Sequence, residues 1–208
     1  MAKKIKKATR NRHTPPRRRR VNIWPYVIMA ILIIGIPLGI YHLYQSNVKR
    51  NISRLEEAIS DYDLDYLENN TDRLPIILDV LKKSYSEDPT KQDEFYESNF
   101  ANLDIEIIDE EKTDRGKEVK VQVANVNYID VYDKVPEDEN DEQIHYDYMA
   151  ALKDPNQERN MYEAKLYLER KLTGYNIYES REFINVILGG ALDYADGAEP
   201  IDPIDDSN

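Results

Sequence analysis

The chain has 208 residues, of which 28 are basic, 40 acidic and three histidine, for a net charge of −12 at neutral pH. It has no cysteine, which excludes disulfides, lipoprotein attachment and thiolate chemistry. The charge is unevenly placed: residues 1–20 hold ten basic residues and no acid, residues 21–44 hold no charge, and residues 45–208 hold 18 basic against 40 acidic residues, a net of −22 that favours cationic partners and disfavours nucleic acid.

Residues 1–22 are basic, poor in apolar side chains and broken by Pro15-Pro16. They are expected to be a disordered cytoplasmic tail that sets orientation and attracts anionic lipid. Residues 23–44 read IWPYVIMAILIIGIPLGIYHLY. As a helix, these residues would span about 33 Å, enough for a bilayer core. Trp24 and Tyr26 at one end and Tyr41 and Tyr44 at the other suit the two aromatic belts. Pro37 is expected as a kink, and Gly35 and Gly39 stand at G-x-x-x-G spacing, which offers a close-approach face for a homo-oligomer. The run is long for a signal peptide and no small-x-small cleavage site follows it, so the expectation is an uncleaved signal anchor. The positive-inside rule then puts the N-terminus in the cytoplasm and residues 45–208 outside a single-pass cell membrane.

Residues 45–196 are expected to fold as one extracellular α+β domain, with 197–208 a disordered acidic tail. Ile52, Leu55, Ile59, Tyr62 and Tyr66 predict a single amphipathic helix over 48–68. A second helix carries Leu74, Ile77, Leu78 and Leu81 inward, has Pro75 in its first turn and is capped by Thr71 or Asp72. A shorter helical turn over 94–100 carries Phe95 and Phe100.

The period then changes to two. Leu103, Ile105 and Ile107, a turn over 113–116, and Val119, Val121 and Val123 predict a β-hairpin. Residues 126–135 fit either strand or helix, 136–142 form an acidic loop, and 144–153 form a short helix. Ala164, Leu166 and Leu168, then Thr173-Gly174, then Tyr175 and Ile177 predict a second hairpin. Phe183, Val186, Ile187 and Leu192 return to helical spacing, with Gly189-Gly190 among them.

The predicted order is helices, then two hairpins, then Phe183, Asn185, Ile187, Gly189 and Gly190 in FINVILGG. Over residues 50–195 it resembles the cystatin/NTF2-like domains of Gram-positive lipoproteins and membrane-anchored surface proteins. The chain departs from them in lacking a lipobox cysteine, and Tyr175 stands where a tryptophan is often found. The resemblance implies a fold and a location but no reaction. The expected fold class is therefore α+β: a transmembrane helix followed by a cystatin/NTF2-like roll, with N-terminal helices packed on an antiparallel sheet. Lack of cysteine, with abundant Asn, Lys, Ile, Tyr and Asp, also fits a Gram-positive source.

Few residues point to chemistry. Asp61, Asp63, Asp65 and Asp72 echo a calcium loop, but Tyr66 stands where glycine makes the sharp turn. His145 is the one histidine of residues 45–208 and is expected to be partly exposed on a helix. No nucleophile elbow, phosphate-cradling glycine loop or metal-ligand spacing occurs, so no catalytic, cofactor-binding or metal residue is assigned. The tyrosines, Tyr128, Tyr132, Tyr148, Tyr167 and Tyr178 among them, suit either a protein interface or core packing. The expectation is a non-enzymatic, membrane-anchored extracellular binding or assembly module with a basic protein partner and no cofactor. The alternatives are a scaffold subunit of a type IV secretion or conjugation complex, or an NTF2-like ligand-binding protein or enzyme.

Overall fold

The computed structural model describes residues 23–39, 47–136, 140–172 and 174–196. The chain forms two compact units, residues 1–40 and 41–208. The expectations for the basic tail 1–22, for Tyr41 and Tyr44, for the acidic tail 197–208, and for Glu137 to Glu139 and Thr173 lie outside the described residues.

In the first unit, helix α1 (Trp24–Ala30) has Pro25 in its first turn, where a missing N–H costs nothing. A π-helical segment, Ile31–Gly35, follows it, and helix continues through residue 39. Pro37 cannot donate to the carbonyl four residues back, and its ring crowds that carbonyl, so a widened turn ahead of it has a local cause. Among the described residues, no helix is long and apolar enough to cross a membrane. That finding overturns the transmembrane reading of residues 23–44, and with it the signal anchor, the cell-surface placement and the inside–outside orientation. A Cβ added at Gly39 meets nothing within 4 Å, and at Gly35 only Ile31 Cγ2 at 3.6 Å, so packing within this unit does not require either glycine.

The second unit starts with α2 (Val48–Ser60), whose cap Asn47 accepts from the Arg50 N–H. Val48, Ile52, Leu55 and Ile59 are buried along one face at spacings of three and four. The single helix expected over 48–68 is instead two. Tyr62 takes the left-handed region (φ 54°), and Asp63 accepts from the Tyr66 N–H to cap α3 (Leu64–Asn70). Several contacts hold Tyr62 in that conformation. Its hydroxyl donates to Asp79 at 3.0 Å, its ring packs edge-on against Tyr96 at 4.7 Å, and Lys82 Nζ lies 4.1 Å from the ring centre.

Helix α4 (Leu74–Tyr85) buries Leu74, Leu78 and Leu81. Neither Thr71 nor Asp72 caps it, and its N-cap Arg73 makes no side-chain capping bond. Glu179 reaches across instead: its two carboxylate oxygens accept from the Asp72 and Arg73 N–H groups, each at 3.1 Å. Helix α5 (Pro89–Asn99) is longer than the expected turn, because Asp88 caps it and Pro89 is preset for a first helical position.

Both hairpins form as the alternation predicts. Strands β1 (Asp104–Lys112), β2 (Gly116–Val126), β3 (Arg159–Arg170) and β4 (Tyr175–Glu179) make one antiparallel sheet in sequence order. Val121 pairs with Ala164 and Leu168 with Ile177, so the inward residues share one face. A register shift between Ile107 and Asp109 and a row of acids blunt the β1 edge. At the other edge, Thr71 bridges Ile177.

Between β2 and β3 the chain forms α6 (Tyr128–Tyr132) and α7 (Asp141–Lys153). After β4 come α8 (Arg181–Ile187) and α9 (Ala191–Asp196). Gly189 and Gly190, both at positive φ, separate these last two helices. A Cβ on Gly189 would approach the Tyr128 ring to 3.0 Å, so this glycine also lets α6 sit close. Helix α2 packs beside β1 and α8 beneath β2 and β3. The space under the sheet is filled by Leu55, Ile59, Val119, Val121, Leu166 and Phe183, all fully buried. The α+β class therefore holds for this unit, with helices on one face of the sheet.

Candidate functional site: an aromatic cleft among the helices

One concave feature of this unit lies away from the sheet, among the helices. A cleft of about 510 Å³ opens between α4, α5, α6 and α7, within the size range of small-ligand sites. Helix α4 contributes Leu81, Ser84 and Tyr85, and α5 contributes Lys91 and Phe95. Helix α6 adds Tyr128, Ile129 and Tyr132, and α7 adds Asp141, Ile144, His145 and Tyr148. The periodicity explains α7: Asp141, Ile144, His145 and Tyr148 recur at intervals of three and four and fall on one face.

The rings support one another. Tyr85 stacks on Phe95 at 4.4 Å, Phe95 meets Tyr128 edge-on at 5.9 Å, and Tyr132 meets Tyr148 edge-on at 5.2 Å. Tyr148 is 2% exposed and Tyr132 54%, so the cluster runs from a fixed floor to an open rim.

His145 is buried at 5% exposure, which corrects the expectation of partial exposure. Both of its ring nitrogens are engaged. Nδ1 lies 2.7 Å from the Tyr85 hydroxyl and Nε2 lies 2.7 Å from Glu94 Oε2. A carboxylate only accepts, so Nε2 donates to Glu94, and the direction of the Nδ1–Tyr85 bond follows the protonation of the ring. The row Glu94–His145–Tyr85 thus ties α5, α7 and α4 together at the cleft wall. Burial, with nearby Tyr132 and Glu94 adding, pushes the Tyr85 phenol up to about 12. Burial raises Tyr128 and, much more, Tyr148, whose hydroxyl donates to the Tyr128 carbonyl at 2.8 Å.

A smaller depression of about 140 Å³ adjoins the cleft and shares Lys91 and His145 with it. Its walls include Asp88, Glu94 and Glu142.

The other candidates separate. Asp63 is taken up by the α3 cap and by Arg54 at 2.6 Å, and among the described residues no group of three or more acids or histidines could hold a metal ion. Tyr175 is core. Tyr167 and Tyr178 pair across β3 and β4 on the outer sheet face, beside a shallow depression with Arg115 and Glu169. Sequence reading named His145, Tyr128, Tyr132 and Tyr148 but missed Tyr85 and Glu94. Their link to His145 spans 60 and 51 residues. The one signal available was the i, i+3, i+4 face of α7, which carries a histidine among apolar positions. No protein-family profile, curated protein or solved structure matches this chain.

Proposed function

We propose that residues 47–196 form a non-enzymatic binding module whose ligand site is the aromatic cleft. The cleft itself carries this reading: about 510 Å³ walled by four helices, with an apolar floor and few polar groups at fixed positions. The likeness to cystatin/NTF2-like rolls belongs to the same proposal and rests on helices preceding an antiparallel sheet. In this chain the ligand space is among the helices, because buried aliphatic side chains occupy the volume under the sheet. The secretion-scaffold alternative drew on a membrane helix and is not taken further.

The test is amide chemical-shift mapping of the full chain by NMR against a panel of aromatic and aliphatic fragments. Shifts should cluster on Tyr85, Tyr132 and His145. The substitution Tyr132→Ala, at an exposed rim position, should remove them without changing the circular dichroism. Shifts confined to Tyr167 and Tyr178 would move the site to the outer sheet face, and no shifts at all would end the proposal.

A second, catalytic reading is favoured by the Glu94–His145–Tyr85 row, which places a carboxylate-oriented imidazole behind a cleft hydroxyl. Burial also raises a carboxyl elsewhere: Glu56, which accepts from the Ile105 N–H on the α2 side and does not line the cleft. The catalytic reading requires a turnover that His145→Gln abolishes.

A further inference from the structure

The cleft's hydrogen-bond inventory restricts what it takes. Tyr85 is bonded to His145, Tyr148 gives its hydroxyl proton to the Tyr128 carbonyl, and Ser84 gives its own to the Leu81 carbonyl at 2.8 Å. With these protons turned into the protein, each oxygen presents lone pairs. Asp141 adds a carboxylate on the cleft wall, and Asp88, Glu94 and Glu142 stand in the adjoining depression. Among the described residues, Lys91 is the one lysine or arginine lining either space. The hydroxyls of Ser86, which accepts from the Asp88 N–H, of Tyr128 and of the rim residue Tyr132 can donate into the cleft, and those of Thr90 and Tyr146 into the depression. The balance is acceptor-rich and negative, over an aromatic floor, in a domain of net charge −22.

The geometry points to a small organic cation as the ligand: a protonated amine on an apolar or aromatic body. The ammonium N–H groups donate to Asp141 and the phenol oxygens, and the body packs among the rings. Aromatic rings add attraction for a cation where their faces meet it. This inference rests on the proposal that the cleft is a ligand site, and the experiment separates the two.

The probes are 2-phenylethylamine, the neutral 2-phenylethanol and the anionic phenylacetate, titrated into the full chain at neutral pH and low salt and followed by NMR. The amine is expected to shift the Tyr85, Tyr132 and His145 amides and to bind at least about tenfold more tightly than the alcohol, the difference of one charge-assisted contact. Phenylacetate is expected to leave those amides unmoved. Asp141→Asn, in the first turn of α7, should bring the amine down to the alcohol's affinity while the alcohol is unchanged. Equal binding of amine and alcohol, or tighter binding of phenylacetate, overturns the cation assignment and leaves the cleft as a ligand site. Failure of all three probes to move cleft amides counts against both.

Discussion

Two surfaces of the second unit carry tyrosines, and they are built differently. On the outer face of the sheet, Tyr167 and Tyr178 lie among cross-strand pairs: Lys120 with Glu163, Lys165 with Glu118, and the Tyr178 hydroxyl on Glu169. That face satisfies its own charges and lies in the open. In the cleft, Tyr85, Tyr128 and Tyr148 are partly or fully buried, and the Tyr85 and Tyr148 hydroxyls are bonded within the protein. The same residue type therefore serves as a solvated strand residue in one place and as wall material in the other. What distinguishes them is where each hydroxyl proton goes.

The comparison can be broken most severely by truncation. Tyr148→Ala should cost about 3–5 kcal/mol of stability, as for other large core rings, whereas Tyr167→Ala at 45% exposure should stay within about 0.5 kcal/mol. Urea unfolding followed by circular dichroism reads both, and equal losses would show that the cleft wall is no better packed than the sheet surface. His145→Ala should cost about 1–3 kcal/mol, because it deletes two hydrogen bonds from a buried position. Glu94→Ala should cost less, since Glu94 is half exposed and its loss leaves only the imidazole N–H unpaired.

Alkaline pH should sharpen the contrast. Tyr85 is raised to about 12 in the folded state, and Tyr96 and Tyr148 are raised further, all chiefly by burial. An unfolded tyrosine loses its proton near 10, so between there and 12 the unfolded state binds fewer protons than the native one. The stability these groups contribute is intact below pH 10 and is lost as pH rises toward 12. Tyrosinate absorbance should appear in two phases, with exposed rings first and buried rings together with loss of circular dichroism. A single early phase for all rings would remove the distinction. At the small end, Tyr178→Phe should leave the unfolding midpoint unchanged, because its bond to Glu169 lies at the exposed sheet surface, where the half-buried carboxylate regains water.

How much of this was legible varies with the range of the interaction. The sheet was readable because strict alternation over Leu103–Ile107, Val119–Val123 and Ala164–Leu168 leaves one burial solution. Helix α4 was readable for the same reason at a different period. The break at Tyr62 was not, since a non-glycine residue in the left-handed region is held there by Asp79, Lys82 and Tyr96, all distant in sequence. The cleft was not, because Tyr85, Glu94 and His145 meet only after three helices have packed. Residues 23–44 carried the strongest apolar signal in the chain, yet the described part, a short α-helix, a π-helical segment and a helical stretch to residue 39, holds no helix long and apolar enough to cross a membrane.

The cap on α4 bears on the order in which this chain assembles. Glu179 lies more than a hundred residues after the two amides it accepts. During synthesis α4 leaves the ribosome long before β4 exists, so it must wait with its first N–H groups in water. The helix that gives the cleft Leu81 and Tyr85 is completed only when the last hairpin closes. The Asp72 and Arg73 amides should then exchange hydrogen at the rate set by β4 pairing, and unzipping of that hairpin would be felt at the cleft.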